Sequence, residues 1–302
     1  KKILMTGGSG LLGHFWINKI KDLYDIFFVS HKRLIQVKGH ITVNLSLFNL
    51  DEIINFISEY NIDIVINLAG ISNVEECEIN PESAYNVNQL IPKIIAQACH
   101  FTDIKFIHIS TDHLFGNENI LHEEDDEITL LNQYAKSKYA GECEVIKECP
   151  KSLICRTNFF GKGPNYRNSF SDWIINSLSN NQNITLFDDV CFNPILGSKV
   201  AEYAHQLLES DASGIYNLSA DDYMTKYEFG EYLVNSLNFS KNLIRRGSLK
   251  NRKDLTLRPL CMGLSNKKAS IILNKPIGKV KEHIDLLLSC LLYTSDAADE
   301  RR

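Results

Sequence analysis

The sequence lacks several features that would settle a broad class of function at once. No apolar run approaches the ~20 residues needed to cross a bilayer, and the longest one near the end, IDLLLSCLLY, is interrupted by Asp285 and Ser289. Positive charge is not in excess: 32 Lys and Arg stand against 37 Asp and Glu, and the net charge of −5 argues against a nucleic-acid partner. No signal-peptide pattern opens the chain. We therefore expect a cytoplasmic protein that binds neither membranes nor nucleic acids.

The sequence also lacks the motifs of the common metal sites. Its eight cysteines are scattered and include no C-x-x-C pair. We interpret them as reduced thiols of a cytosolic protein. The acidic run HEEDDE at 122–127 has no partner cluster of ligands, so we interpret it as a solvated loop and expect no metal. The last stretch, YTSDAADERR, shows no apolar periodicity, and we predict that residues 291–302 form a tail outside the fold.

What the chain does contain is a regular alternation of strand and helix patterns over its first half. Near-continuous apolar runs predict buried strands at 2–6, 25–30, 62–70, 104–110 and 152–156. Amphipathic patterns predict helices at 11–22, after Asn49 with Glu52 as its capping-box partner, and from Pro81 onward. This alternation predicts an α/β fold, a Rossmann-type doubly wound parallel sheet.

The pattern loosens after about residue 160, which indicates a smaller C-terminal lobe. Short elements follow there, including a second capping box, TKYE at 225–228. We expect residues 1–160 to form the Rossmann domain. Residues 161–290 should be mainly a substrate-binding lobe, with some return to the Rossmann core.

A glycine-rich segment, MTGGSGLLG, follows the first predicted strand and opens a helix. Its Gly7, Gly10 and Gly13 have the context that the dinucleotide fingerprint requires. Gly7 would permit the tight turn, Gly10 would let the backbone approach a pyrophosphate at the helix terminus, and Gly13 would let helix and strand pack closely. The first domain is therefore predicted to bind NAD(P).

Cofactor preference is read just after the second predicted strand. An acidic residue there would bind the ribose 2′-hydroxyl of NAD. This chain has the basic pair Lys32 and Arg33 instead. The pair favours the 2′-phosphate of NADPH, and a solvated charged loop is the alternative.

The stretch NQYAKSKYAGE at 132–142 places Tyr134 and Lys138 one helical turn apart. A Tyr-x-x-x-Lys spacing arises by chance about once in a chain of this composition, so its context must decide. HISTDHLFG at 108–116 delivers Thr111 and Asp112 at the carboxyl end of a strand, where ligands bind in open α/β folds. With the glycine loop, this context indicates a catalytic set.

The chemistry of carbonyl reduction explains these residue types. Hydride transfer develops negative charge on a carbonyl oxygen, and Tyr134 would donate a proton there. A tyrosine with a pKa near ~10 is a poor acid–base group. We expect the charge of Lys138 to lower that pKa, and Lys138 to hydrogen-bond the nicotinamide ribose. Thr111 would polarise the carbonyl, and a strand-end capping hydroxyl is its alternative role.

These motifs resemble the extended short-chain dehydrogenase/reductase family and, within it, the dTDP-4-dehydrorhamnose reductases and their relatives. The resemblance runs from residue 3 to about 273 and is carried by TGGSGLLG, INLAG, NVEECEINPESAYNVN, STDHLFG, YAKSKYAGE, CRTNFFG, GIYNLS and RPLCMGLSNKKA. It implies NAD(P)H-dependent reduction of a 4-keto-6-deoxy nucleotide-sugar, as in dTDP-rhamnose and polysaccharide biosynthesis. It implies Thr111, Tyr134 and Lys138 as the catalytic residues.

The resemblance also implies ligand contacts. Cofactor contacts are implied at Gly7, Ser9, Gly10, Leu11, Leu12, Asn44, Leu45, Leu68, Ala69 and Gly70. Asn158 matches a substrate position of nucleotide-sugar enzymes. His113 and Asp112 beside Thr111, and Arg258 toward a diphosphate, complete the expected substrate set, with a structural role as the alternative for His113. Arg156 is expected to hold the loop after its strand.

Departures from the family pattern leave two alternatives open. His113 stands where the family has tyrosine, Asn44 where it has an acidic residue, Leu130 where it has proline, and RTNFFG lacks the usual tryptophan. An epimerase or dehydratase on the same scaffold is one alternative, since Asp112 occupies the place of the dehydratase acid. A non-catalytic regulatory subunit, like the relative that accompanies methionine adenosyltransferase, is the other. A homodimer is left open.

Overall fold

The computed structural model describes residues 1–29, 33–34, 36–116 and 121–299, with side chains described as far as residue 291. The strands are β1 (Lys2–Thr6), β2 (Asp25–Val29), β3 (Ile41–Val43), β4 (Ile64–Asn67), β5 (Lys105–Thr111), β6 (Leu153–Thr157), β7 (Phe159–Phe160), β8 (Ile184–Phe187), β9 (Cys191–Phe192), β10 (Ile195–Leu196), β11 (Gly214–Leu218), β12 (Met224–Thr225), β13 (Ile244–Gly247) and β14 (Cys261–Met262). The helices are α1 (Leu11–Ile20), α2 (Leu50–Tyr60), α3 (Val74–Ile79), α4 (Pro81–Tyr85), α5 (Ile91–Phe101), α6 (Gln133–Glu148), α7 (Phe170–Ser179), α8 (Gly197–Glu209), α9 (Lys226–Ser236), α10 (Lys267–Leu273) and α11 (Val280–Asp299).

The centre of the molecule is a seven-stranded sheet in the order β11-β6-β5-β4-β1-β2-β3, with every pair parallel. Side chains alternate between its faces, so both faces of each inner strand are apolar. In β1, Ile3 and Met5 pack into the core on the side of α1 and α8, whereas Leu4 packs on the side of α2, α5 and α6. The predicted Rossmann-type doubly wound fold is confirmed.

The strand order places the candidate site. Strand β1 lies between β2 and β4, so the connections turn outward in opposite directions from it. At such a switch point the loops that follow neighbouring strands diverge and leave a crevice at the carboxyl edge of the sheet. The glycine loop after β1 lies at this crevice.

The second half of the chain forms smaller sheets and also contributes to the main one. The pairs are β7 with β10, β8 with β13, and β9 between β12 and β14. Strand β11 and helix α8 pack on the Rossmann core, and α11 continues to Asp299, into the segment predicted as a tail. The domain limits at 160 and 290 stay predictions. Across the described ranges, no helix is long and apolar enough to span a membrane.

Two predicted helices differ from the expected geometry, one at its start and one in its interior. Asn49 does cap α2, accepting from the Glu52 amide at 3.2 Å, but the Glu52 carboxylate accepts from the Ser46 amide at 3.1 Å. The reciprocal bond fails because the Asn49 amide already donates to the Ser46 carbonyl at 3.3 Å. The TKYE box at 225–228 is confirmed in both directions. The long helix expected from Pro81 is interrupted by a π-helical turn, Asn86–Leu90.

The interpretation of the acidic run 122–127 as a solvated loop holds for Glu123, Asp125 and Glu127, which are exposed, but is wrong for Glu124, which is buried. Its carboxylate accepts from the Asn217 amide of β11 at 2.8 Å, and its carbonyl accepts from Arg156 Nη1 at 2.9 Å. Arg156 is 1% exposed and also donates through Nε and Nη2 to Glu142 of α6, at 3.0 and 2.8 Å. Arg156 therefore holds this acidic run and α6, rather than the loop that follows its own strand.

Because it contains buried histidines, we expect the protein to lose stability in mild acid. His205 Nε2 accepts from Trp16 Nε1 at 3.0 Å, and burial lowers the pKa of His205 from 6.5 to about 4. A histidine whose pKa is lower in the folded chain stabilises it above the unfolded pKa, and this stability is lost as the pH falls toward the folded pKa. We expect the contribution of His205 alone to lower the free energy of unfolding by about 2–3 kcal/mol between about pH 7 and about pH 4.5.

The measurement is urea unfolding of the wild type and His205→Gln across that pH range. The glutamine keeps an acceptor for Trp16 but does not titrate. Burial also lowers the pKa of His283 to about 4 and raises that of Asp112 to about 6, so other groups add to and oppose the slope. The difference between the two proteins isolates His205. Equal pH slopes would contradict the prediction.

Candidate active site

The glycine loop has the geometry that a dinucleotide pyrophosphate needs. Gly7 has a φ of 65°, and a Cβ there would collide with the backbone of Leu68 and Ala69. A Cβ on Gly13 would lie 2.6 Å from the Gly7 carbonyl oxygen, so α1 could not pack as closely on the loop. Gly10 is the N-cap residue of α1 and has no side chain to cap it. The first amides of α1 and its dipole are therefore available to an anion.

A buried polar set holds the neighbouring loop after β4 beside the glycine loop. Thr6 Oγ1 donates to Asn67 Oδ1 at 2.5 Å, and both oxygens are within 3.3 Å of the Ala69 amide nitrogen. Asn67 Nδ2 lies 3.0 Å from Nδ1 of His108 on β5. Burial lowers the pKa of His108 well below its usual range, so the ring is neutral. Its Nδ1 then accepts the hydrogen bond that the Asn67 amide donates.

Asn88 joins that loop to helix α6, and the sequence analysis missed it. Its Oδ1 accepts from the Ile71 amide at 2.9 Å, and its Nδ2 donates to the Ile71 carbonyl at 3.0 Å and to Ser137 Oγ at 3.0 Å. The π-helical turn carries Asn88, and such turns recur at functional sites. A signal existed: Asn88 lies at helical spacing from the apolar Ala84 and Ile91, a core-facing position with a polar residue.

Helix α6 brings Tyr134 to the end of β5. Asn132 starts the helix, its Oδ1 accepting from the Ala135 amide at 2.8 Å. The Thr111 hydroxyl, on the last residue of β5, lies close enough to the Tyr134 phenol to act on its pKa. The ring of His113 meets the Tyr134 ring edge-on, with 5.4 Å between centroids. The structure therefore brings Thr111, Tyr134 and His113 together.

The expectation that Lys138 lowers the pKa of Tyr134 is wrong. Burial raises that pKa, the Thr111 side chain works against burial, and the Asp112 charge adds to the effect of burial. The Lys138 ammonium instead donates to the Ile109 carbonyl at 2.6 Å, and burial lowers the pKa of Lys138 to about 8. Tyr134 is therefore a neutral phenol at physiological pH, the form that can donate a proton.

Asp112 is a buried carboxyl whose charge is only partly compensated. Burial raises its pKa to about 6, whereas the hydrogen bond from Asn158 Nδ2 at 2.6 Å and the Lys226 ammonium act in the opposite direction. Burial, Lys226 and Arg258 together lower the pKa of His113 to about 3, so this ring is neutral. Two cations thus stand on the side of the site formed by the smaller lobe.

Lys226 is a second residue that the sequence analysis missed. It is the first residue of α9, directly after the N-cap Thr225, and its Nζ lies 5.7 Å from the centroid of the Phe170 ring. Burial lowers its pKa. Arg258, which was expected here, forms an ion pair with Glu75 of α3. The capping-box motif located the helix start but gave no sign that this lysine faces Asp112.

The remaining predicted contacts lie where their strands end. Three groups follow β1, β3 and β4 respectively: Gly7, Ser9, Gly10, Leu11, Leu12 and Gly13; Asn44 and Leu45; Leu68, Ala69 and Gly70. The Leu45 side chain is buried in the core, so only its backbone could contact a ligand. Lys32 lies outside the described residues, and Arg33 is exposed beyond β2. The individual roles stay predictions.

The chain is similar to known proteins over most of its length. A family model described as the RmlD substrate binding domain matches residues 1–292. A probable low-salt glycan biosynthesis reductase, Agl14 from Haloferax volcanii, is 27% identical over 278 residues, covering 90% of this chain and 93% of that protein. A dTDP-4-dehydrorhamnose reductase from Aggregatibacter actinomycetemcomitans is 26% identical and covers 76% of each chain.

The fold also matches solved structures. The crystal structure of dTDP-4-dehydrorhamnose reductase from Bacillus anthracis in complex with NADP superposes with a TM-score of 0.85. It is 22% identical, covering 95% of this chain and 98% of that one. At this identity the match establishes the fold alone.

Proposed function

Because the chain belongs to the RmlD substrate-binding domain family over residues 1–292, we propose that it reduces a 4-keto-6-deoxy nucleotide-sugar with NADPH or NADH. The relatives named as reductases support this activity. A dTDP-linked sugar is the substrate we expect, with the reaction in the cytoplasm. A homodimer stays a prediction.

One observation carries the proposal: the neutral Tyr134 phenol lies beside the Thr111 hydroxyl, at the sheet edge that also holds the glycine loop. A carbonyl oxygen placed against both hydroxyls would meet one hydrogen-bond donor and one proton donor. Lys138, one helical turn along α6, keeps the role of hydrogen-bonding the nicotinamide ribose.

The residues present fit a nicotinamide dinucleotide. Its pyrophosphate would lie at the glycine loop and the N-terminus of α1, in a cradle that a Cβ on Gly7 or Gly13 would disrupt. When bound, the cofactor supplies the hydride. Tyr134 then donates its phenolic proton to the carbonyl oxygen, Thr111 holds that oxygen, and Asn88 keeps α6 in register with the loop after β4.

The substrate would lie between Asp112, His113 and Asn158 on one side and the cations Lys226 and Arg258 on the other. Cations suit the diphosphate of a nucleotide-sugar. The neutral His113 can donate or accept a hydrogen bond to a sugar hydroxyl. Asp112 bonded to Asn158 is the group that a dehydratase or epimerase would need as an additional acid, so product analysis belongs in the test.

The test is NADPH consumption by the purified protein, with dTDP-4-keto-6-deoxy sugar generated in the same tube. Steady consumption that depends on the sugar, with a 4-hydroxy product, is the expected result. An altered sugar without net consumption would favour the epimerase or dehydratase. Cofactor binding with an untouched sugar would favour a regulatory subunit, and either result would reject reduction of this substrate.

A further inference from the structure

The loop between β7 and α7, residues 161–169, crosses from the smaller lobe to the glycine loop. A Cβ on Gly163 would lie 2.8 Å from Leu11 Cδ1, and one on Gly161 would lie 2.8 Å from the ring of Phe15. Both contacts are with α1. The loop therefore packs directly on the helix whose N-terminus is the candidate pyrophosphate site.

This loop is anchored by its own hydrogen bonds. The Asp172 carboxylate accepts from the Gly163 amide at 2.8 Å and from the Ser169 amide at 2.9 Å. The Ser169 hydroxyl in turn accepts from the Asp172 amide at 3.0 Å, completing the capping box of α7. These bonds tie the C-terminal end of the loop to the first turn of α7.

The tip of the loop reaches the segment after β2. The guanidinium of Arg33 lies over the Tyr166 ring, 4.2 Å from its centroid, although β2 and this loop belong to opposite halves of the chain. Within the described residues Arg33 makes no salt bridge, so Tyr166 is the side chain that holds its guanidinium. Tyr166 is 46% exposed, and Arg33 is exposed as well.

The loop that carries Tyr166 has an excess of positive charge, in a chain whose net charge is −5. The same loop carries Lys162 and Arg167, both exposed. Asp172, the nearby carboxylate in the first turn of α7, is occupied by the two backbone amides. An anion that reaches Arg33 would therefore meet positive charge from both halves of the chain.

We propose that Tyr166 is a positioning residue for cofactor selection: it holds Arg33 where the guanidinium binds the 2′-phosphate of NADPH. A planar guanidinium stacked on an aromatic ring keeps its edge N–H groups free for a phosphate. The loop 161–169 is then part of the cofactor site rather than of the substrate site alone. This inference rests on the proposed use of NAD(P)H but not on the identity of the sugar.

The test measures binding of adenosine 2′,5′-bisphosphate and of adenosine 5′-monophosphate by calorimetry, because the two probes differ only in the 2′-phosphate. For Arg33→Ala we expect the bisphosphate to bind ~10-fold or more weakly. For Tyr166→Ala we expect a loss of about 2- to 5-fold, the size of an exposed cation–π contact. Neither variant should change the affinity for the monophosphate. Tyr166→Phe keeps the ring and should bind both probes as the wild type does.

The double variant decides whether Tyr166 acts through Arg33. If it does, adding Tyr166→Ala to Arg33→Ala produces no further loss. Additive losses, an equal loss for both probes, or no loss in Tyr166→Ala would each overturn the proposal. Failure of both probes to bind the wild type would instead reject the dinucleotide site, and with it the proposed function. No keto-sugar is present in this experiment, so an error in the substrate cannot affect its outcome.

Discussion

Replacing Tyr134 by phenylalanine is expected to lower kcat by ~10²- to 10⁴-fold, the range for loss of a general acid. The phenol is the group that the geometry places to protonate a carbonyl, and burial keeps it protonated by raising its pKa. Phenylalanine preserves the edge-on ring contact with His113 but has no hydroxyl that could donate a proton. Folding and the affinity for NADPH should therefore survive the change.

The matched control is Tyr139→Phe on the same helix. Tyr139 packs against the small core of Leu114, Phe115 and Leu264, so the same loss of a hydroxyl should leave kcat within about two-fold. Steady-state NADPH oxidation and cofactor binding by fluorescence are measured for both variants. A Tyr134→Phe enzyme that retains more than about a tenth of wild-type kcat would show that another group supplies the proton.

The largest stability effect is expected for Glu142→Gln. The Glu142 and Arg156 side chains are about 1 and 2% exposed and are joined by a two-pronged ion pair. Glutamine keeps the shape but removes the charge, which leaves a buried guanidinium uncompensated. Loss of one partner of such a pair costs ~3–5 kcal/mol in the free energy of unfolding. Chemical denaturation measures it.

Helix α6 supplies the control for this change as well. Glu144 pairs with Lys93 at 3.2 Å, and both side chains are partly exposed. The identical substitution Glu144→Gln should cost only ~0–1 kcal/mol. Similar losses for both variants would mean that the Glu142–Arg156 pair contributes no more than a surface pair. The double replacement Glu142→Leu with Arg156→Met should recover much of the loss, because neither charge is then left buried alone.

The sequence was most informative where hydrophobic periodicity and glycine spacing are decisive. The five predicted apolar runs became β1, β2, β4, β5 and β6, and the family resemblance drawn from the motifs is confirmed by the match over residues 1–292. Strand β3, at the edge of the sheet, was missed because its three residues are too few to show a pattern. The helices α7 and α8 were missed because the second half was interpreted as loosely structured.

Within the site, the sequence could place Tyr134, Lys138 and Thr111 on the correct elements but not determine their electrostatics. The pKa of Tyr134 depends on how deeply α6 buries the phenol and on where the Lys138 ammonium points, and neither follows from a four-residue spacing. Lys226 and the contact between Arg33 and Tyr166 depend on long-range packing. Glu124 was predicted to be solvated because a local run of acidic residues does not show that distant residues, Arg156 among them, bond to it.

Strand β11 has a consequence for the order in which this protein can fold during synthesis. It pairs with β6 through five residue pairs, Gly214–Leu218 against Leu153–Thr157, yet most of the smaller lobe separates the two in the chain. Until β11 leaves the ribosome, the outer edge of β6 stays unpaired, and an open strand edge is a template for joining other chains. Glu124 and Arg156 are also left without the Asn217 amide that completes their network. During synthesis, the first half of the chain therefore forms a sheet with an aggregation-prone edge at β6. This edge is paired only when β11, a late-translated strand, is available.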